Sequence, residues 1–343
     1  MNLKLNTSLF ALILLLLTEC KDSNQVKPPN TTNTNSNGTI EYVSEANKLL
    51  LTNYTFDMVE DAKGDVWLVD GGVIYRFSGT KVAQKFSVNN GNINSQNLCQ
   101  MFVKNKSGDV YVHSSTVDVP YNELYKISNS NLISVFKGNK VGFGPTHIFF
   151  NKLDELEIFS GSSSNPFYDK YNLSTNTFKT STLGFSYQGA IFDGINYWYI
   201  DGRKLFKSGV SMNIAKDYTE VRSQQGRVFA FCTNIGLDIF QSNKWTFVNS
   251  NFSSNYPMDF RPFNFTVSAN GEIFLYGTKG GVTDNRVCVI KIGQDLTVSE
   301  ISLESSFLSK GYMIVRSFAD SNGFLWMIYV NKSGGIDLAR LKL

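Results

Sequence analysis

The residues of this chain that could carry chemistry are few and far apart. His113 and His147 are its two histidines, and neither has a second histidine or an acidic cluster at metal-ligand spacing, so a structural role is expected and no metal. Cys99, Cys232 and Cys288 are widely separated in apolar surroundings and read as small buried hydrophobes, with one disulfide among them left open. No nucleophile elbow is present, and "VGFGPTH" at 141–147 has two glycines but not the rest of a dinucleotide motif, so no cofactor is expected. Asp118, Asp169, Asp201 and Asp259 fall in expected loops. Two carboxylates at a suitable separation are enough for glycoside hydrolysis, but acidic loop residues more often solvate or shape turns. A non-enzymatic protein is therefore the first expectation, with a polysaccharide lyase or glycoside hydrolase as the alternative.

The elements that must position these residues announce themselves by repetition. "VEDAKGDVWL", "FVKNKSGDVY", "FFNKLDELEI", "IFDGINYWYI", "EVRSQQGRVF", "TVSANGEIFL" and "FADSNGFLWM" each contain an apolar run, a polar turn and a second apolar run. The turns end at Gly64, Gly108, Asp154, Asn196, Gly226, Gly271 and Gly323, residue types that tolerate the left-handed backbone of a bulged hairpin loop. Two residues on comes an apolar side chain, followed by Trp67, Tyr111, Glu157, Tyr199, Phe229, Phe274 or Trp326, aromatic in every copy but the third. Further strand-like runs follow each hairpin, for instance "GVIYRFS" and "KVAQKFS", so the unit is four antiparallel strands. The turns recur about every 45 residues, apart from one short step between Asn196 and Gly226, which the tight turns Asp201-Gly202 and Ser208-Gly209 can accommodate.

At Asp61 to Trp67 and Asp320 to Trp326 the repeat resembles the two-component-regulator type of propeller, whose pattern is Asp-x-x-Gly-x-hydrophobic-Trp; the likeness degenerates at Asp154 and Glu157. The resemblance implies an all-β fold, a seven-bladed β-propeller, and a general capacity to bind a ligand or protein. Twisted four-stranded sheets set around an axis bury both faces against neighbours. The last copy is one strand short, and "TIEYV" at 39–43 is expected to supply it and close the ring. In such a ring the second-to-third-strand loops and the inter-blade connections share one face. These segments carry Tyr121, Phe167, Tyr168, Arg203, Tyr256, Phe260, Arg261 and Tyr312. Of these, Tyr121, Tyr168, Arg203, Tyr256, Arg261 and Tyr312 are the expected ligand contacts, since aromatics beside arginine suit sugar stacking or a protein hot spot. Packing between blades is the competing role.

Composition and the N-terminus supply the setting. A net charge of +3 over 61 charged groups, without a long like-sign run, argues against nucleic acid as a partner. "MNLKLNTSLFALILLLLTEC" has an early lysine, an apolar run from Leu9 to Leu17 and then Cys20, the layout of an export signal too short to span a membrane comfortably. It resembles the lipobox of bacterial lipoproteins, which implies lipidation at Cys20, although Glu19 departs from the small residue of that pattern. Residues 21–38 are polar, lack aromatics and read as a tether; Lys21 and Asp22 are similar to surface-export signals of Bacteroidetes-type lipoproteins. The expectation is thus a monomeric propeller over 39–343, held at the outer membrane or cell surface by its lipid alone and binding an envelope protein or glycan.

Overall fold

The computed structural model describes residues 38–343 except 52–55, 88–96, 117–121, 129–130, 139–146, 152, 163–164, 183–188, 194, 202–203, 213–216, 225, 233–235, 248–259 and 281–285. Its strands form seven separate four-stranded antiparallel sheets, each in simple meander order. The innermost strands, in blade order, are Phe56–Glu60, Asn97–Lys104, His147–Phe150, Gly189–Phe192, Glu220–Gln224, Arg261–Val267 and Gly311–Ala319. Among the described residues the buried apolar side chains fall into seven clusters, and each draws on two adjacent blades. Trp67 meets Phe102 and Val110 between blades 1 and 2, for example, and Trp326 meets Leu68 and Phe77 between blades 7 and 1. Seven seams between seven sheets require a closed ring: this is a seven-bladed β-propeller.

The outer strand of blade 7 is Ile40–Tyr42, paired antiparallel with the C-terminal strand so that Glu41 faces Arg340. Side chains reinforce the junction: the Ile40 N–H donates to Glu304, the Leu338 N–H donates to Ser44 Oγ, and Arg340 pairs with Glu41 at 2.8 Å. Ring closure therefore rests on contacts between residues about 300 positions apart in sequence.

Among the described residues, the hairpins of blades 1–4, 6 and 7 are built around the residue that opens the turn. Asp61 Oδ1 accepts the N–H groups of Lys63 and Asp65, while Oδ2 accepts the Trp67 indole N–H at 2.9 Å. Asp320 does the same for Asn322, Phe324 and Trp326. Opposite these aromatics a cation on the third strand lies over the ring: Arg76 over Trp67 at 5.5 Å, Lys126 over Tyr111 at 5.9 Å and Arg340 over Trp326 at 5.4 Å. Blade 3 keeps the geometry with inverted polarity. Asn151 replaces the aspartate and donates through Nδ2 to wholly buried Glu157 at 2.8 Å, and Lys170 pairs with that carboxylate at 3.3 Å instead of covering a ring.

Blade 4 corrects the sequence alignment. Positions 64, 108, 154, 226, 271 and 323 have positive φ, but Asn196 does not. Its turn is one residue shorter, closed by the Asp193 N–H to the Asn196 carbonyl. The shortening moves the register: Trp198, not Tyr199, donates its indole N–H to Asp193 and lies under Lys207.

Candidate functional site

Hydrogen bonds between neighbouring hairpins define one end of the ring. Ser321 of blade 7 donates to Glu60 of blade 1, the Lys106 N–H of blade 2 to Asp154 of blade 3, and Gln224 of blade 5 to the Ser268 carbonyl of blade 6. This is the hairpin face. The opposite linker face carries the second-to-third-strand turns and the connections between blades, and innermost strands begin there.

Arg261 and Tyr312 stand first and second on the innermost strands of blades 6 and 7, and both are exposed. The structure thus brings these two expected contacts to neighbouring positions at the linker-face mouth of the axial channel. Half-buried Phe260 precedes Arg261. The strand bearing Arg261 is bulged between Pro262 and Asn264, and Gly277 on the next strand makes room for it, since a Cβ there would lie 2.0 Å from the Arg261 carbonyl oxygen. Tyr168 is not in a loop. It lies with Phe167 and Asp169 in the third strand of blade 3, Asn165–Asn172, where it pairs with Phe159, because the flanking strands extend into the segment read as a loop. Asp201 likewise ends a strand, paired with Lys204. Tyr121, Arg203, Tyr256, Asp118, Asp259 and Cys20 lie outside the described residues.

Deeper in the channel is a polar cluster that sequence reasoning missed. Asp57 of blade 1 accepts from Arg316 of blade 7 at 3.0 Å and from the Phe102 N–H of blade 2 at 2.8 Å, bridging three blades. Glu220 and Arg222 of blade 5 pair at 2.5 Å, and Arg222 also donates to the Phe265 carbonyl and to Asn264 Oδ1 of blade 6. Tyr276 of blade 6 is buried nearby. Burial raises its pKa, Arg222 and Arg316 oppose that rise, and Glu220 adds to it. Burial also pulls down on Arg316, but Asp57, Tyr276 and Glu220 together outweigh it and the net shift is upward. Groups from the consecutive blades 5, 6, 7 and 1 thus influence one another. The available signal was a charge inside an apolar inner-strand run, as in "FDMVE" and "MIVRSFA".

In this cluster both carboxylates are held by arginine, which suits a charge-balanced, hydrogen-bonding channel wall better than proton transfer. His113 is wholly buried in the second strand of blade 2, and the side chain of His147 is outside the described residues. Cys232 and Cys288 are buried; burial pushes the Cys288 pKa up, further raised by Glu300. A groove of about 270 Å³ opens on the hairpin face between blades 1 and 2, lined by Trp67, Arg76, Asp109 and Lys126. Two of its cations, Arg76 and Lys126, are paired with Asp65 and Asp109.

The class of protein is a seven-bladed β-propeller whose described channel carboxylates are paired with arginines. No family model matches the chain, and no curated protein matches it. Among solved structures it is similar to the WD40 β-propeller domain of Doa1, with 10% identity over 88% of this chain and 96% of that one at a TM-score of 0.50, a likeness that speaks for the fold alone. A putative 6-phosphogluconolactonase from Bacteroides uniformis (10% identity, 82% and 93% covered, TM-score 0.47) and a luciferin-regenerating enzyme (10%, 89% and 95%, TM-score 0.43) are also similar.

Proposed function

We propose that the chain is a non-enzymatic binding protein of the cell envelope, exported and lipidated at Cys20, which takes a glycan or protein partner at the linker-face mouth of its channel. The observation that carries the reading is the exposed pair Arg261 and Tyr312 on adjacent innermost strands. A planar cation beside a phenol ring offers bidentate hydrogen bonding and a stacking surface to one ligand. Binding is favoured over glycoside hydrolysis because Asp57 and Glu220, the carboxylates of the described axial cluster, are each neutralised by an arginine.

The test is a glycan-array and envelope pull-down screen with the chain from Lys21 onward, followed by Arg261→Ala and Tyr312→Ala. Each substitution should weaken capture of the hit about tenfold or more without changing thermal stability. Undiminished capture by both variants would remove the linker-face mouth as the site. Turnover of a polysaccharide that is abolished by Asp57→Asn would instead establish the lyase or hydrolase reading.

A further inference from the structure

The turn tips on the hairpin face are not alike. The residue two after the turn-capping Asx or serine is Lys63, Ser107, Asn270 and Asn322 in blades 1, 2, 6 and 7, but Leu153 in blade 3 and Ile195 in blade 4. These two apolar side chains are 79% and 78% exposed, among the most exposed large hydrophobics of the described residues. They are presented rigidly: each has its N–H bonded to the capping oxygen, Leu153 to Asn151 and Ile195 to Asp193, at 2.8 Å. Val210, in the neighbouring third-to-fourth-strand turn of blade 4, is 67% exposed on the same face.

The chain enters the described fold at that same face. Strand Ile40–Tyr42 runs antiparallel to the C-terminal strand, so its first residues lie beside Lys342, whose N–H donates to the Thr39 carbonyl, and near the blade 7 hairpin, where the Leu343 N–H donates to the Gly323 carbonyl. Everything before Gly38 is therefore attached on the hairpin face, at blade 7. In a seven-membered ring, blades 3 and 4 are the pair farthest from blade 7.

We infer that the hairpin face is a membrane-docking surface: the tether fixes one side of the ring to a lipid bilayer, and the Leu153 and Ile195 tips enter the interfacial layer on the opposite side. The inference rests on the reading of Cys20 as the lipid anchor. Between Cys20 and Gly38 lie 17 residues, and a coil of that length has an r.m.s. span of about 25 Å, about the height of one blade. Presenting the linker face to the bilayer would consume that reach, whereas presenting the hairpin face leaves it slack. Isolated apolar tips projecting from polar turns suit a deformable interface, and a lipid combined with inserted side chains gives the two signals that stable anchoring takes. The ring is then held flat, with Arg261 and Tyr312 facing away from the membrane.

The experiment uses the chain from Lys21, which contains every described strand. An N-terminal hexahistidine tag holds it on phosphatidylethanolamine–phosphatidylglycerol vesicles doped with nickel-chelating lipid, so the outcome does not depend on Cys20. A polarity-sensitive fluorophore is placed at Leu153→Cys, Ile195→Cys or Val210→Cys, with Lys332→Cys as the linker-face control. The expected result is a blue shift and quenching by nitroxide-labelled lipid at the first three positions and neither at the control. Leu153→Asp combined with Ile195→Asp should return the Val210→Cys signal to its vesicle-free value. Signals at 153 and 195 equal to the control, or a shift at Lys332→Cys, would overturn the orientation. A blue shift without vesicles that grows with protein concentration would overturn it in favour of a second copy of the chain. Failure of Cys20 lipidation in cells, with these vesicle signals intact, would refute the anchor and leave the docking face standing.

Discussion

Asp61, Asp193 and Asp320 perform one task in three blades: one carboxylate oxygen caps the turn and the other holds an indole. Blade 3 reaches the same end with Asn151 as donor and Glu157 as acceptor, so the two residues should be energetically coupled. Asn151→Asp alone would set a second carboxylate against a wholly buried one and is expected to lower stability by about 3 kcal/mol in urea denaturation. Adding Glu157→Gln restores a donor and should recover most of that loss. Asp193 gives a pH prediction. Burial raises its pKa, but the N–H groups of Asn196 and Ile195 and the Trp198 indole outweigh that, and the net shift is downward. A carboxyl depressed in the folded state contributes stability above its unfolded pKa and loses it as pH falls through the folded value. Urea midpoints should therefore drop as pH falls below about 4, and Asp193→Asn should flatten that decline while lowering stability at neutral pH.

The strands and hairpins show which features were legible in the sequence and which were not. The repeated turns could be read because their cause is local: a capping Asx or serine and a residue that tolerates positive φ three positions on, as at Asp61 and Gly64. Blade 4 was misregistered because its turn drops one loop residue, and "GINYW" offers Asn196 as a decoy. Strand length misplaced Tyr168, since "SGSSSNPFY" is polar enough to look like a loop while its backbone is mostly paired. The channel pairs were hidden for a different reason: Asp57–Arg316 joins blades 1 and 7, which become neighbours only when the ring closes, and Glu220–Arg222 on one strand gains its meaning from its contacts with blade 6. Gly277 is a test at this scale. Gly277→Ala would drive a Cβ into the Arg261 carbonyl and should cost about 3 kcal/mol or more, with loss of ligand capture at the Arg261 mouth even where folding survives.

For the whole molecule, ring closure and the two faces form one account. The Ile40–Tyr42 strand completes blade 7 and at the same time brings the chain into the described fold at the hairpin face. Cys20→Ser is expected to move the protein from the membrane to the soluble fraction of fractionated cells; unchanged partitioning would remove lipidation as the anchor. The orientation of both faces depends first on the Ile40–Tyr42 strand lying beside the C-terminal strand. Glu41 and Arg340 are direct cross-strand partners, a separation within the range a disulfide can bridge. In the chain from Lys21, Glu41→Cys with Arg340→Cys should form a disulfide on mild oxidation and raise the urea midpoint, reversibly with reductant. Two thiols that stay free under the same oxidation, in a protein with an unchanged unfolding curve, would contradict the closed ring and the division of its faces.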